Sequence, residues 1–99
     1  MNGMTGKSKM VASHAFLDID PSRSIPEQMR ALASAIQDYS EIGITYRGRR
    51  VGAVATNGRS WRYRREDYPS FVVQEYETDS EAVLALIRDI GDLEEFILR

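Results

Sequence analysis

The dipeptide Asn57-Gly58, standing between VGAVAT at 51–56 and RSWRYR at 59–64, constrains the fold of this chain more than any other feature. Both central residues of a type I′ turn need positive φ, which asparagine and glycine tolerate best, so the pair predicts an antiparallel hairpin with a two-residue loop. In that register Thr56 opposes Arg59, Val54 opposes Trp61 and Gly52 opposes Tyr63 on one face, while Val51, Ala53 and Ala55 share the other with Arg62 and Arg64. A second turn, Arg47-Gly48, leads back to an earlier strand over Ile42 to Tyr46. A two-residue loop there would put Ile44 and Tyr46 on the alanine face and leave Trp61 as an exposed stacking platform. A three-residue loop through Arg49 exchanges the faces, because a slip of one residue turns every side chain over. The second arrangement is expected, since it gathers Ile44, Tyr46, Val54, Trp61 and Tyr63 into one core and leaves Arg62 and Arg64 outside.

Around this hairpin the remaining signals are local. Met10 to Asp20 alternates, with Val11, Ser13, Ala15, Leu17 and Ile19 on one side and a mostly polar set on the other, which predicts a half-buried strand. Ser24-x-x-Glu27 with Pro26 in the first turn is a capping box, and Ile25, Met29, Leu32, Ala33 and Ile36 follow at helical spacing to about Tyr39. The run FVVQEYE at 71–77 has strand composition. Thr78-x-x-Glu81 opens a second helix with Val83, Leu84, Ile87 and Ile90 as its apolar set, Gly91 ends it, and Asp92-x-x-Glu95 starts a short third helix through Leu98. The expected architecture is therefore α+β, in the order β-α-β-β-β-β-α-α. It is an antiparallel sheet of four to five strands with the helices packed on one face.

A chain of 99 residues suffices for one domain, expected over 10–99, with 1–9 as a flexible tail. No run is long and apolar enough for a membrane span, and no apolar stretch follows the N-terminal lysines as in a secretory signal, so a cytoplasmic protein without membrane association is expected. The absence of cysteine removes disulfides, thiolate nucleophiles and thiolate metal ligands. The core must then supply the stability, and a homodimer would add to it.

The net charge of -2 is unevenly spread. Arg47, Arg49, Arg50, Arg59, Arg62, Arg64 and Arg65 fall within 47–65 without one acid, whereas 66–99 holds ten acids against Arg88 and Arg99. With Trp61 and Tyr63 interleaved, the block suits pairing with carboxylate or phosphate and stacking. The structural alternative is a set of strand residues neutralised by the acidic C-terminal half. Catalytic signals are weaker. Gly6-Lys7-Ser8 matches the end of a phosphate-binding loop, but Met1 stands where the motif needs its first glycine. Asp18 and Asp20 share one face of a strand, as a divalent-cation pair would, yet lack further ligands and adjoin a proline turn. His14, the one histidine, has no marked serine to activate. No cofactor, metal site or catalytic residue is expected.

These features predict a small non-enzymatic regulator or inhibitor. It would bind an acidic partner protein or ribonucleoprotein through Arg49, Arg50, Arg59, Arg62, Arg64, Arg65, Trp61 and Tyr63, through the acidic helical half, or through both. The alternative is a nucleic-acid-binding module built on 46–65. Ile44-Thr45-x-Arg47-Gly48-x-x-Val51-x-Ala53-Val54 resembles the helix-to-hairpin stretch of Phd/YefM-class antitoxins, which implies DNA binding and toxin wrapping. Pro69 to Ile87, with its T-x-x-E-A, resembles the HicB-like antitoxin sheet at a different spacing. The two resemblances are mutually incompatible and assign no family; both are to small regulators carried by mobile elements.

Overall fold

Each described helix begins where a side chain can take up one of its free amides. In the computed structural model, which describes residues 14–36 and 39–99, strand β1 (His14–Asp18) is followed by α1 (Ile25–Ala35), β2 (Glu41–Tyr46), β3 (Arg49–Thr56), β4 (Trp61–Arg65), α2 (Asp79–Ile90) and α3 (Leu93–Ile97). Ser24, Thr78 and Asp92 are the three N-caps, accepting from the amides of Glu27, Glu81 and Glu95. Gly91, at φ 82°, closes α2 by donating its amide to Ile87 O. The first helix ends at Ala35, short of the expected Tyr39, because Ile36 is already extended. Gln28 of α1 is 4% exposed and was not legible in the sequence. Its amide donates to Asp20 O and Arg23 O and accepts from Asp20 N, which locks the β1–α1 turn.

The sheet is α+β as expected, with strand order β1-β2-β3-β4, but it is not wholly antiparallel. β1 and β2 run parallel, Ala15 beside Ile42 and Leu17 beside Ile44, because α1 carries the chain back along the sheet between them. The expected strand at 71–77 is also absent. Only Tyr76 bridges Trp61, and Val72 donates to Tyr63 O, while Val73 between them is 86% exposed. The expected first strand survives as His14–Asp18, and its positions before His14, with the tail 1–9, lie outside the described residues.

The two hairpins exchange the roles expected of them. Positive φ at both central residues occurs at Arg47 (52°) and Gly48 (79°), giving a two-residue loop that pairs Tyr46 with Arg49. Asn57 has no positive φ. Its Oδ1 instead accepts from the amides of Arg59 and Ser60, so the loop spans 57–60 and Thr56 pairs with Trp61 rather than Arg59. That shift is two residues, so the faces of β4 are those expected. The faces of β2 are set elsewhere. Ile44 pairs with Gly52 but Thr45 pairs with Arg50, leaving Val51 as an inserted residue. This bulge, not a three-residue loop, brings Ile42, Ile44 and Tyr46 onto the side of Val54 and Tyr63. Val51 was expected beside Ala53 and is instead fully buried in the core.

Over that core lies α2, through Ala82, Val83, Ala85 and Leu86; Leu84, expected inside, is 37% exposed. The alanines permit close approach, and Leu86 reaches Gly52. A Cβ at Gly52 would strike Arg64 O and lie 2.9 Å from Leu86 Cδ1. Gly52→Ala is therefore expected to cost about 1–3 kcal/mol by overpacking. The check is the midpoint of urea unfolding, which should fall with the slope unchanged.

Candidate functional site

The three described helices pack on one side of the sheet, and among the described residues no helix lies on the other side. Its central row crosses all four strands as Phe16, Gly43, Ala53 and Arg64, with Arg50 in the row above and Ala55 and Arg62 in the row below. The small residues are required there. A Cβ at Gly43 would lie 2.6 Å from two ring carbons of Phe16, so the ring lies flat over this position while remaining 61% exposed. Ala53 is fully buried although it lies outside the core, beneath the flanking long side chains.

The arginines of this face are stacked and paired in series. The Arg50 guanidinium lies 5.6 Å from the Phe16 centroid, and that of Arg64 lies 5.9 Å from the Phe71 centroid. Between them Glu66 Oε1 is 3.5 Å from Arg50 Nε and 3.5 Å from Arg64 Nη2. Phe16, Arg50, Glu66, Arg64 and Phe71 thus form a continuous ladder over the sheet. One step along β4, Arg62 Nη2 is 3.1 Å from Glu75 Oε2, whose other oxygen accepts from Ser60 Oγ at 2.8 Å. These two donors hold the Glu75 carboxyl below its ordinary range. A cavity of about 250 Å³ opens beside Arg62 and Phe71, lined also by Ala55, Thr56, Asn57 and Ser60.

Of the eight residues expected at the site, only Arg50, Arg62 and Arg64 come together. Arg49, at the start of β3, and Arg59, in the 57–60 loop beyond its other end, are exposed, without an ion pair to any described residue. Arg65 points to the helical side and is 14% exposed, bidentate on Asp67 and bonded to Asp89, which raises its pKa further. Trp61 is half-buried 6.3 Å from Tyr39, and Tyr63 is 8% exposed in the core, so neither offers the open face a stacking platform. The aromatics that do so, Phe16 and Phe71, were not singled out in the sequence. The available signal was Phe16 itself, a large aromatic residue on the otherwise mostly polar side of its strand.

Most of the carboxylates of the acidic half are engaged internally. Tyr39, Tyr46 and Tyr63 donate their hydroxyls to Asp79, Glu94 and Asp89 at 3.2, 2.9 and 2.6 Å, tying the sheet to the helical layer. Arg47 reaches the same Glu94 at 2.9 Å. Asp18, considered for a metal, accepts from Thr45 Oγ1 at 2.6 Å and Gly48 N at 2.8 Å and so steadies the β2–β3 turn; both bonds depress its pKa. Asp20 accepts from Ser22 N and Oγ. Among the described residues no group of three or more acidic, histidine or cysteine side chains could hold a metal ion. None of their helices is long and apolar enough to cross a membrane. No protein-family model, no curated relative and no solved structure matches this chain.

Burial and the bond to Asp89 raise the Tyr63 pKa to about 12, above the ordinary value of 10.0. Folding favours the protonated phenol, so this contribution is complete below about pH 10 and is lost as pH rises through about 12. Tyr39 and Tyr46 shift in the same direction. Urea unfolding across this alkaline range is expected to show a falling stability in the native chain and a shallower fall in Tyr63→Phe.

Proposed function

We propose that this chain is a non-enzymatic regulator or inhibitor, acting in the cytoplasm, that docks on a partner protein through the open face of its sheet. The observation that carries the reading is the Phe16–Arg50–Glu66–Arg64–Phe71 ladder, which leaves a large aromatic ring 61% exposed among guanidinium groups on the side away from the helices. Aromatic and arginine side chains together are what protein-binding surfaces concentrate, because the rings bury large area with few rotatable bonds and the guanidinium adds planar stacking and up to five hydrogen-bond donors. A protein is favoured over nucleic acid as partner. The seven-arginine block divides between the two sides and the two ends of the sheet, and Arg47, Arg50, Arg62, Arg64 and Arg65 each have a carboxylate within 3.5 Å. A surface so neutralised is a poor phosphate track, since nucleic-acid affinity grows with the number of uncompensated cations. The acidic helical half supports docking less well, its Asp79, Asp89 and Glu94 being bonded within the chain.

The test is recovery of the partner from the host cell with tagged protein, with and without nuclease, using variants that spare the fold. Arg64 is unsuitable, because it donates to Tyr68 O and Arg65 O and so holds the loop after β4. Arg50 and Arg62, at 37% and 43% side-chain exposure, lie in exposed ion pairs whose loss costs about 1 kcal/mol or less each. The Arg50→Glu, Arg62→Glu double variant is expected to melt near the native temperature and to lose a nuclease-resistant protein that the native chain retains. Gly43→Ala, which displaces the Phe16 ring, should weaken the same recovery. A partner held equally by all three proteins, or one released by nuclease, refutes the reading.

A further inference from the structure

The outward arginines of the docking face are matched by exposed carboxylates of the chain itself, Glu75 closely on Arg62 at 3.1 Å and Glu66 more loosely. Glu66 reaches Arg50 and Arg64 only at 3.5 Å, and it and Glu75 remain 40% and 56% exposed. Exposed pairs of this kind add little stability, so another carboxylate can replace them at small cost. The arginines themselves are better fixed than their acids: Arg50 rests on Phe16 and Arg64 on Phe71, which removes much of the entropic cost of ordering them for a ligand. Arg62 and Arg64 are two residues apart on β4 and face the same way. At about 3.3 Å per residue their spacing is the same-side repeat of any extended chain.

We propose that the docking face takes an extended segment of the partner carrying acidic residues at alternate positions. One carboxylate replaces Glu66 between Arg50 and Arg64, and the next replaces Glu75 on Arg62, above the cavity of about 250 Å³. The inference rests on the docking reading above and supplies the chemistry of the partner. Glu66 and Glu75 act in it as internal stand-ins that a wrongly charged or wrongly spaced segment cannot displace, which gives selectivity without a large binding energy.

The probe is a capped heptapeptide of alternating glutamate and serine, compared with a block peptide of the same composition and with inorganic polyphosphate. Arginine Nε resonances report the site. Those of Arg50, Arg62 and Arg64 are expected to move on titration while Arg23, Arg30 and Arg88 stay. The Glu66→Gln, Glu75→Gln double variant should bind the alternating peptide about fivefold or more tightly than the native chain, and Arg62→Gln about tenfold more weakly. Arg50→Gln gives a second test should Arg62→Gln lose its native melt. Equal affinity for alternating and block peptides, unchanged affinity in the double glutamine variant, shifts spread over all arginines, or tighter binding of polyphosphate each overturn the proposal. If the peptide fails while the partner protein is still lost from Arg50→Glu, Arg62→Glu, the alternating-acid inference falls and docking through this face stands. If recovery is also unaffected, both fall.

Discussion

The burial of one side of this sheet depends on a single inserted residue. Without Val51 between the pairs Ile44–Gly52 and Thr45–Arg50, the two-residue turn at Arg47-Gly48 would carry Ile42, Ile44 and Tyr46 to the side of Arg62 and Arg64. Side chains alternate with a period of two, so one extra residue restores agreement between the halves of the sheet. Val51 and Gly52 then both meet the core. The first fills it, and the second, lacking a side chain, admits Leu86 of α2.

Once the faces are set, the charge pattern is largely consumed by the fold. Acids after Glu66 return to the arginines before it, through Arg65 with Asp67 and Asp89, Arg62 with Glu75, and Arg47 with Glu94. Tyrosine hydroxyls from the sheet take further carboxylates of α2 and α3. A distribution that looks like a strong dipole along the chain becomes an interlayer adhesive in three dimensions. The hydrogen-bonded, half-buried members of this network contribute more than the exposed pairs, because solvent screens the latter.

On the side of the sheet where no described helix lies, the ion pairs stay exposed. The glycine and alanine positions of that side make room for long side chains to lie flat, and the phenyl rings of Phe16 and Phe71 hold guanidinium groups in place. Rigid strands thereby present preformed cationic and aromatic groups rather than mobile ones. In the docking proposed above, preorganisation of this sort would serve recognition of a protein segment, where position matters, more than attraction of a polyanion, where total charge does.

The sequence by itself determined the features that arise within a few residues of chain. The caps at Ser24, Thr78 and Asp92, the helix stop at Gly91, the succession of strands from Ile42 to Arg65 and the α+β class were all legible, because each depends on propensities and hydrogen bonds that neighbours satisfy. Arg62 and Arg64 were legible as outward residues, since the even shift of the 57–60 loop preserved their face. Only the tertiary structure decided the parallel pairing of β1, the bulge at Val51, the loss of a strand at 71–77, the ion pair of Arg65 with Asp89 and the exposure of Phe16. Several of these are settled by competition between partners distant in the chain, such as Asp89 against solvent for Arg65 and the flat seat at Gly43 against burial for Phe16. A local pattern contains one competitor and not the other.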